Sequence, residues 1–146
     1  MIAYFDASAL VKRHVDERGS RAAIEFAARA EVVATSFISR AEVAATLAKA
    51  VRAKLLEAAD ARAAQRAFAI EWPDIARIPV TEALVSRAET LAWEYGLRGY
   101  DAVQLASAVL FQESLGAAVR LATFDKQLWD AARRAGFEPW PEKLPQ

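Results

Sequence analysis

The sequence predicts a doubly wound α/β fold, a three-layer α/β/α sandwich around a central, mostly parallel sheet of about four or five strands. Short runs rich in β-branched and aromatic residues recur along the chain, mostly apolar and without the polar alternation of a strand that has one wet face. Between them lie Ala-rich stretches, and with about a quarter of the residues Ala, the best helix former, these lean strongly to helix. The two kinds of segment alternate at a spacing that suits parallel strands joined by crossover helices.

Ile2-Ala3-Tyr4-Phe5 is the first strand, bounded by Asp6, and a short helix carrying Lys12 and Arg13 follows. Gly19 punctuates a turn and Ser20 is placed to N-cap a helix running to Ala30. Glu31 to Thr35 is the second strand. Phe37, Ala41, Ala44, Ala48, Val51 and Leu55 then recur at three- and four-residue spacing, the apolar stripe of a long helix. A further helix runs from about Glu57 to Trp72, where Pro73 stops it. Ala76 to Val80 is a strand, after which Thr81 caps a helix ending near Gly96. Tyr100 to Ser114 is helical and closed by Gly116. Val119 to Thr123 is the next strand, Asp125 to Ala135 the last helix, ended by Gly136, and Phe137 to Trp140 a short final strand. Pro139, Pro141 and Pro145 mark a short tail.

Composition bounds what such a fold can do. A length of 146 residues suits one domain spanning 1–146, and 55% hydrophobic residues supply its core. Nineteen Lys plus Arg offset nineteen Asp plus Glu, so the net charge of +0 excludes a bulk polyelectrolyte binder and leaves nucleic-acid contact to local clustering. The absence of Cys removes disulfides, thiolate zinc sites and cysteine nucleophiles, and fits a reducing compartment. No signal or membrane segment is visible, so a cytoplasmic location without membrane association is expected. The only imidazole, His14, reads as a surface or partly packed residue.

The acids are the informative residues. Asp6 ends the first strand, Asp125 follows the strand ending at Thr123, Asp101 opens a helix after Leu97-Arg98-Gly99-Tyr100, and Glu42 lies in the first turns of the helix after the second strand. In an open parallel sheet these positions share one edge, and the crevice where strand order reverses is the usual ligand site. Each acid also fits a structural role. Asp6 can N-cap a short helix, Ser39-Arg40-Ala41-Glu42 matches a capping box, and Asp101 and Asp125 suit positive helix ends. Caps do not explain the apolar setting, with Phe5, Val103 and Phe124 beside the acids, where converging carboxylates repel one another unless a cation neutralises them. If they do converge, an all-oxygen site suits Mg²⁺ or Mn²⁺ rather than Zn²⁺, and the reaction suited to it is attack of water on a phosphodiester. Ser8 and Thr123 stand beside two of the acids, either to support them or to cap helices.

Phe5-Asp6-Ala7-Ser8-Ala9-Leu10-Val11-Lys12, Thr35-Ser36 through Arg40-Ala41-Glu42, Gly99-Tyr100-Asp101-Ala102-Val103-Gln104-Leu105-Ala106-Ser107-Ala108 and Ala122-Thr123-Phe124-Asp125 stand in the order and rough spacing of the PIN-domain ribonucleases. More narrowly, the chain resembles a VapC-type toxin of a toxin-antitoxin pair, from the first strand to the last helix. Four such motifs in register are specific where each alone is common. The resemblance implies a Mg²⁺- or Mn²⁺-dependent endoribonuclease with a PIN-like fold, its acidic quartet at Asp6, Glu42, Asp101 and Asp125 and its supporting hydroxyls at Ser8 and Thr123. It also implies products with a 5′-phosphate and a 3′-hydroxyl, a homodimer, and a cognate antitoxin that obstructs the site. Many relatives carry His where this chain has Gln104, which can still hydrogen-bond a carboxylate or water but cannot titrate near neutrality.

An RNA backbone at an acidic site needs cations, and Lys12, Arg13, Arg40, Arg98 and Lys126 all lie within a few residues of one of the four acids, although each also reads as an ordinary solvated charge. Leu56, Phe68, Ile70, Trp72, Trp93 and Tyr95 divide between core and a subunit or antitoxin contact. Two other classes compete. An aspartate-based phosphotransfer or phosphatase domain also places Asp after the first strand, but the phosphatase pattern has a second Asp where Ser8 stands, and a receiver has paired acids where Asp6 stands alone. A catalytically silent binding module is expected to have lost at least one acid, and none is lost. No G-x-G-x-x-G follows any strand, which disfavours dinucleotide binding.

Overall fold

The computed structural model describes residues 1–146 and forms one five-stranded sheet in the order β3-β2-β1-β4-β5. The strands are β1 (Ile2–Phe5), β2 (Val32–Ser36), β3 (Ala76–Ile78), β4 (Val119–Ala122) and β5 (Glu138–Trp140). Every neighbouring pair is parallel, with Tyr4 opposite Ala34 on one side and Leu121 on the other. The chain therefore winds outward from β1 through β2 to β3, then returns to place β4 on the other side of β1. The order reverses between β1 and β4, and in a sheet of this kind the carboxyl ends at that point are the usual place for a ligand.

Helices α1 (Ala7–Lys12), α2 (Ser20–Ala28), α3 (Ser39–Arg52) and α4 (Ala58–Glu71) pack with Ala3 and Phe5 on one face of the sheet. Helices α5 (Glu82–Tyr95), α6 (Gly99–Leu115) and α7 (Lys126–Arg134) pack with Tyr4, Ala34 and Leu121 on the other. Alternation along β1 explains the split, since successive side chains leave a strand on opposite faces. No helix is long and apolar enough to cross a membrane.

The expected elements are all present, with ends displaced by up to three residues, the largest at the end of α3, which stops at Arg52 rather than Leu55. Ser20 is not the cap of α2: Gly19, at φ 91°, takes the N-cap position, while the Ser20 hydroxyl donates to the Val15 carbonyl at 2.6 Å. Thr81 does cap α5, accepting from Leu84 N at 3.2 Å. Pro73 lies within a short 3₁₀ turn, Trp72–Asp74, that ends α4. Pro139 belongs to the edge strand β5 rather than to a tail, where a missing N–H is tolerated.

The long-helix stripe requires a larger correction. α3 buries Ser39, Val43 and Leu47, while Phe37, Ala41, Ala48 and Leu55 are exposed. Ala satisfies an apolar pattern without having to be buried, so the Ala-rich sequence offered two stripes and the larger side chains selected the buried one.

Candidate functional site

Asp6 follows β1 at the reversal point, and its carboxylate is 4% exposed among apolar neighbours. Three donors hold it. Oδ1 accepts from the Ser8 hydroxyl at 2.7 Å and from Ala9 N at 2.9 Å, and Oδ2 accepts from the Thr123 hydroxyl at 2.7 Å. The cap and the site are thus one arrangement, because the bond from Ala9 N is also the N-cap of α1. Ser8 and Thr123 are themselves fixed, Ser8 accepting from Phe124 N at 2.9 Å in the loop after β4 and Thr123 from Asp125 N at 3.0 Å within that loop. Both hydroxyls support the acid. Ser8 also fills the position of a phosphatase's second Asp with a group whose hydrogen is already given to Asp6.

Glu42 is not part of a capping box. Ile38 is the N-cap residue of α3, and Ser39 is fully buried with its hydroxyl turned inward to Thr35 at 2.7 Å. Glu42 instead accepts a 2.7 Å bond from Gln104 Nε2, and the same amide donates to Ser39 Oγ at 2.9 Å. Gln104 Oε1 receives the Tyr4 hydroxyl at 2.5 Å, and Thr35 donates to the Phe5 carbonyl at 2.6 Å. A buried polar chain therefore runs from β1 through α6 to α3 and aims Glu42. Tyr4 was outside the sequence-derived site. The signal for it was a phenol in an otherwise apolar strand, which needs a buried partner for its hydroxyl.

Asp101 is half-buried in the first turn of α6, and its carboxylate makes no hydrogen bond to a helix N–H. Asp125 caps α7 through Leu128 N at 2.9 Å. None of the four acids stands in an ion pair with Lys or Arg, although the molecule forms such pairs elsewhere. Their electrostatics reflect this. Burial pushes Asp6 up to about 7 against the pull of its three donors, and the Glu42 charge adds to the rise. Glu42 is raised by burial, offset by Gln104 and increased by Asp101. Asp101 is raised by burial and by Asp125, with Arg98 opposing. The couplings link Asp6 to Glu42, Glu42 to Asp101 and Asp101 to Asp125.

No three acidic or imidazole side chains stand close enough, as placed, to ligate one ion together. The donor set nevertheless fits a hydrated Mg²⁺ or Mn²⁺. Such ions keep several waters and need only one or two direct carboxylates. Four unneutralised carboxylates at one edge, one of them desolvated, are what a divalent cation compensates.

The expected basic residues divide. Lys12 is paired with Glu17 at 3.0 Å and donates to the Arg18 carbonyl at 2.8 Å. Arg13 is largely buried against Glu71, which also faces His14 Nε2 at 2.9 Å. Lys126 pairs with Asp130 one turn along α7. Arg40 and Arg98 are exposed and outside any ion pair. Of the apolar residues left open between core and contact, Phe68 and Trp72 are buried, whereas Ile70 and Trp93 are 79% and 88% exposed.

Comparison with known proteins identifies the family and the fold. Residues 3–134 match the PIN domain family. Ribonuclease VapC45 and Ribonuclease VapC49, from two strains of Mycobacterium tuberculosis, are each 32% identical over 143 residues, covering 98% of this chain and 97% of theirs. A solved toxin-antitoxin complex from Klebsiella pneumoniae contains a chain of the same fold, with a TM-score of 0.65 at 20% identity, covering 98% of this chain and 99% of that one.

Proposed function

The chain belongs to the PIN-domain family, in its VapC-type ribonuclease branch, and on that premise we propose that it is a metal-dependent endoribonuclease toxin held in check by a cognate antitoxin. The observation that carries the reading is a set of four carboxylates, none in an ion pair, gathered at the carboxyl ends of β1 and β4 around a buried Asp6 held by Ser8, Thr123 and Ala9 N, with Glu42 aimed by Gln104. Asp6, Glu42, Asp101 and Asp125 are the residues that would hold Mg²⁺ or Mn²⁺. A divalent ion in that place supplies neutralisation of the phosphate charge and readies water for attack.

The chain's own residues do the positioning. Ser8, Thr123 and Ala9 N fix the rotamer of Asp6, and Gln104 fixes that of Glu42, so little reorganisation is needed as charge develops. Water bonds through its oxygen to the phosphorus and gives up one proton, the bond to the 3′ oxygen breaks, and one proton ends on that oxygen, leaving a 5′-phosphate and a 3′-hydroxyl. Arg40, Arg98 and Lys126 are the exposed cations placed to meet the RNA backbone. An antitoxin and a second copy of the chain are the expected partners, and the exposed Leu55, Ile70 and Trp93 supply apolar area for them.

The test is cleavage of 5′-labelled RNA by the purified chain. Activity is expected with Mg²⁺ or Mn²⁺, none in EDTA, and none from Asp6→Asn or Asp101→Asn variants that retain a cooperative thermal transition. Cleavage that survives EDTA, or a fully active Asp6→Asn variant, overturns the reading.

A further inference from the structure

Phe37 stands where β2 ends and α3 begins, and its ring is 48% exposed. Its backbone N donates to the Ile78 carbonyl at 3.0 Å, so the neighbouring strand fixes its position. The ring rests edge-on against Trp72, at 6.2 Å between centroids and 63° between planes. Trp72 is buried and makes a second edge contact with Phe68 at 5.5 Å. A row of buried aromatics thus backs a ring that still presents surface to solvent.

Two guanidinium groups lie against the tryptophan on which Phe37 packs. Arg40 in the first turn of α3 and Arg77 in β3 each lie 5.8 Å from the Trp72 ring. Both side chains are exposed and neither is in an ion pair, although Asp74 lies in the adjoining turn. The group borders the carboxylate site, since Ser39, two residues beyond Phe37, shares the Gln104 amide with Glu42.

Local folding does not account for the ring. A hydrophobic residue before a helix N-cap commonly staples onto the fourth helical position, but in α3 that position is Glu42. A half-exposed aromatic packed on Trp72, with two unpaired guanidinium groups on that same tryptophan, matches how single-stranded nucleic acid is held, with a base stacked on the ring and cations along the backbone.

We propose that Phe37, with Arg40 and Arg77, is a base-stacking platform that seats a nucleotide of single-stranded RNA beside the scissile phosphate. The proposal rests on the ribonuclease reading for its substrate class. Stacking accepts any base, since all have a π face, so the platform sets register along the strand more than sequence.

The test uses single-stranded RNA oligonucleotides in which one abasic position is stepped along both sides of the cleavage site. For the wild-type chain, kcat/KM falls about tenfold when the abasic position meets the ring. Phe37→Leu, which keeps apolar volume without a π face, shows a raised KM on the intact strand, an unchanged kcat and no abasic penalty, while Phe37→Trp restores both. Arg77→Ala weakens all oligonucleotides alike and flattens the salt dependence of binding. An abasic penalty that is absent from the wild type, or undiminished in Phe37→Leu, overturns the platform. If the chain cuts no RNA, the ribonuclease reading fails. The same abasic comparison by fluorescence anisotropy in EDTA then decides the platform separately, by the same two outcomes.

Discussion

Asp6 has its ordinary value of 3.8 when the chain is unfolded and about 7 when folded, so pH measures what holding it costs. Below the unfolded value the group is neutral in both states and carries no penalty. As pH rises toward 7 the unfolded chain ionises first, and stability falls by about 1.4 kcal/mol for each unit until the native carboxyl ionises too. Glu42 and Asp101 are raised and act in the same direction. Glu71, lowered by its bond with His14 despite partial burial and by Arg13, acts oppositely, its contribution being lost as pH falls. Thermal melts in EDTA are therefore expected to weaken between about pH 4 and pH 8, and Asp6→Asn to flatten that alkaline decline and melt higher than the wild type at its upper end. Gln104 gives a second prediction. Gln104→Leu removes the acceptor of the buried Tyr4 hydroxyl and the donor to Glu42, a cost of about 1–3 kcal/mol. Adding Tyr4→Phe recovers part of that loss but none of the lost cleavage rate, a separation that a double-mutant cycle in urea and a kinetic assay read together.

At the scale of elements, local chemistry was legible in the sequence and remote chemistry was not. Asp6, Thr81 and Asp125 cap their helices because a cap depends on residues three apart, all visible in one stretch. Ser39 and Glu42 have the spacing of a capping box, yet Gln104, far along the chain, takes both. The stripe on α3 was misplaced because Ala fits either face, and Val43 and Leu47 show which one the sheet covers. Arg13 follows the same logic: its closeness to Asp6 in sequence suggests an RNA contact, whereas its partner, Glu71, is on α4 and is not visible among its neighbours in sequence. That pairing ties the end of α1 to the end of α4, with His14 edge-on to Phe68 at 5.6 Å. Removing the carboxylate leaves a largely buried guanidinium unpaired. Glu71→Ala is thus expected to lower stability by about 1–3 kcal/mol in chemical denaturation, with catalysis unchanged per folded molecule.

At the scale of the whole molecule, the parallel order of five strands brings Asp6 and Asp125 to one edge of the sheet, and that order was only partly implied by the alternation of helices and strands. The alternation required covered parallel strands and put every candidate acid at one edge. It did not state which strands are neighbours, because that depends on how crossovers pack. The neutral total charge conceals a local arrangement: none of the four carboxylates is in an ion pair, and Arg98 only partly offsets the charge around Asp101. Stability should therefore respond to divalent ions specifically. An ion that binds the native chain at about a hundred times its dissociation constant contributes about 2.7 kcal/mol, roughly 5–10 °C in melting temperature at this chain length. Mg²⁺ or Mn²⁺ is expected to raise the melting point of the metal-free chain near neutral pH, whereas Na⁺ at equal ionic strength should raise it little, because screening only weakens the repulsion. Asp6→Asn and Asp101→Asn each remove one of the coupled charges, and both should reduce the divalent increment while leaving the Na⁺ response small. Equal shifts from Mg²⁺ and Na⁺, or an increment undiminished in both variants, would place ion binding elsewhere on the molecule.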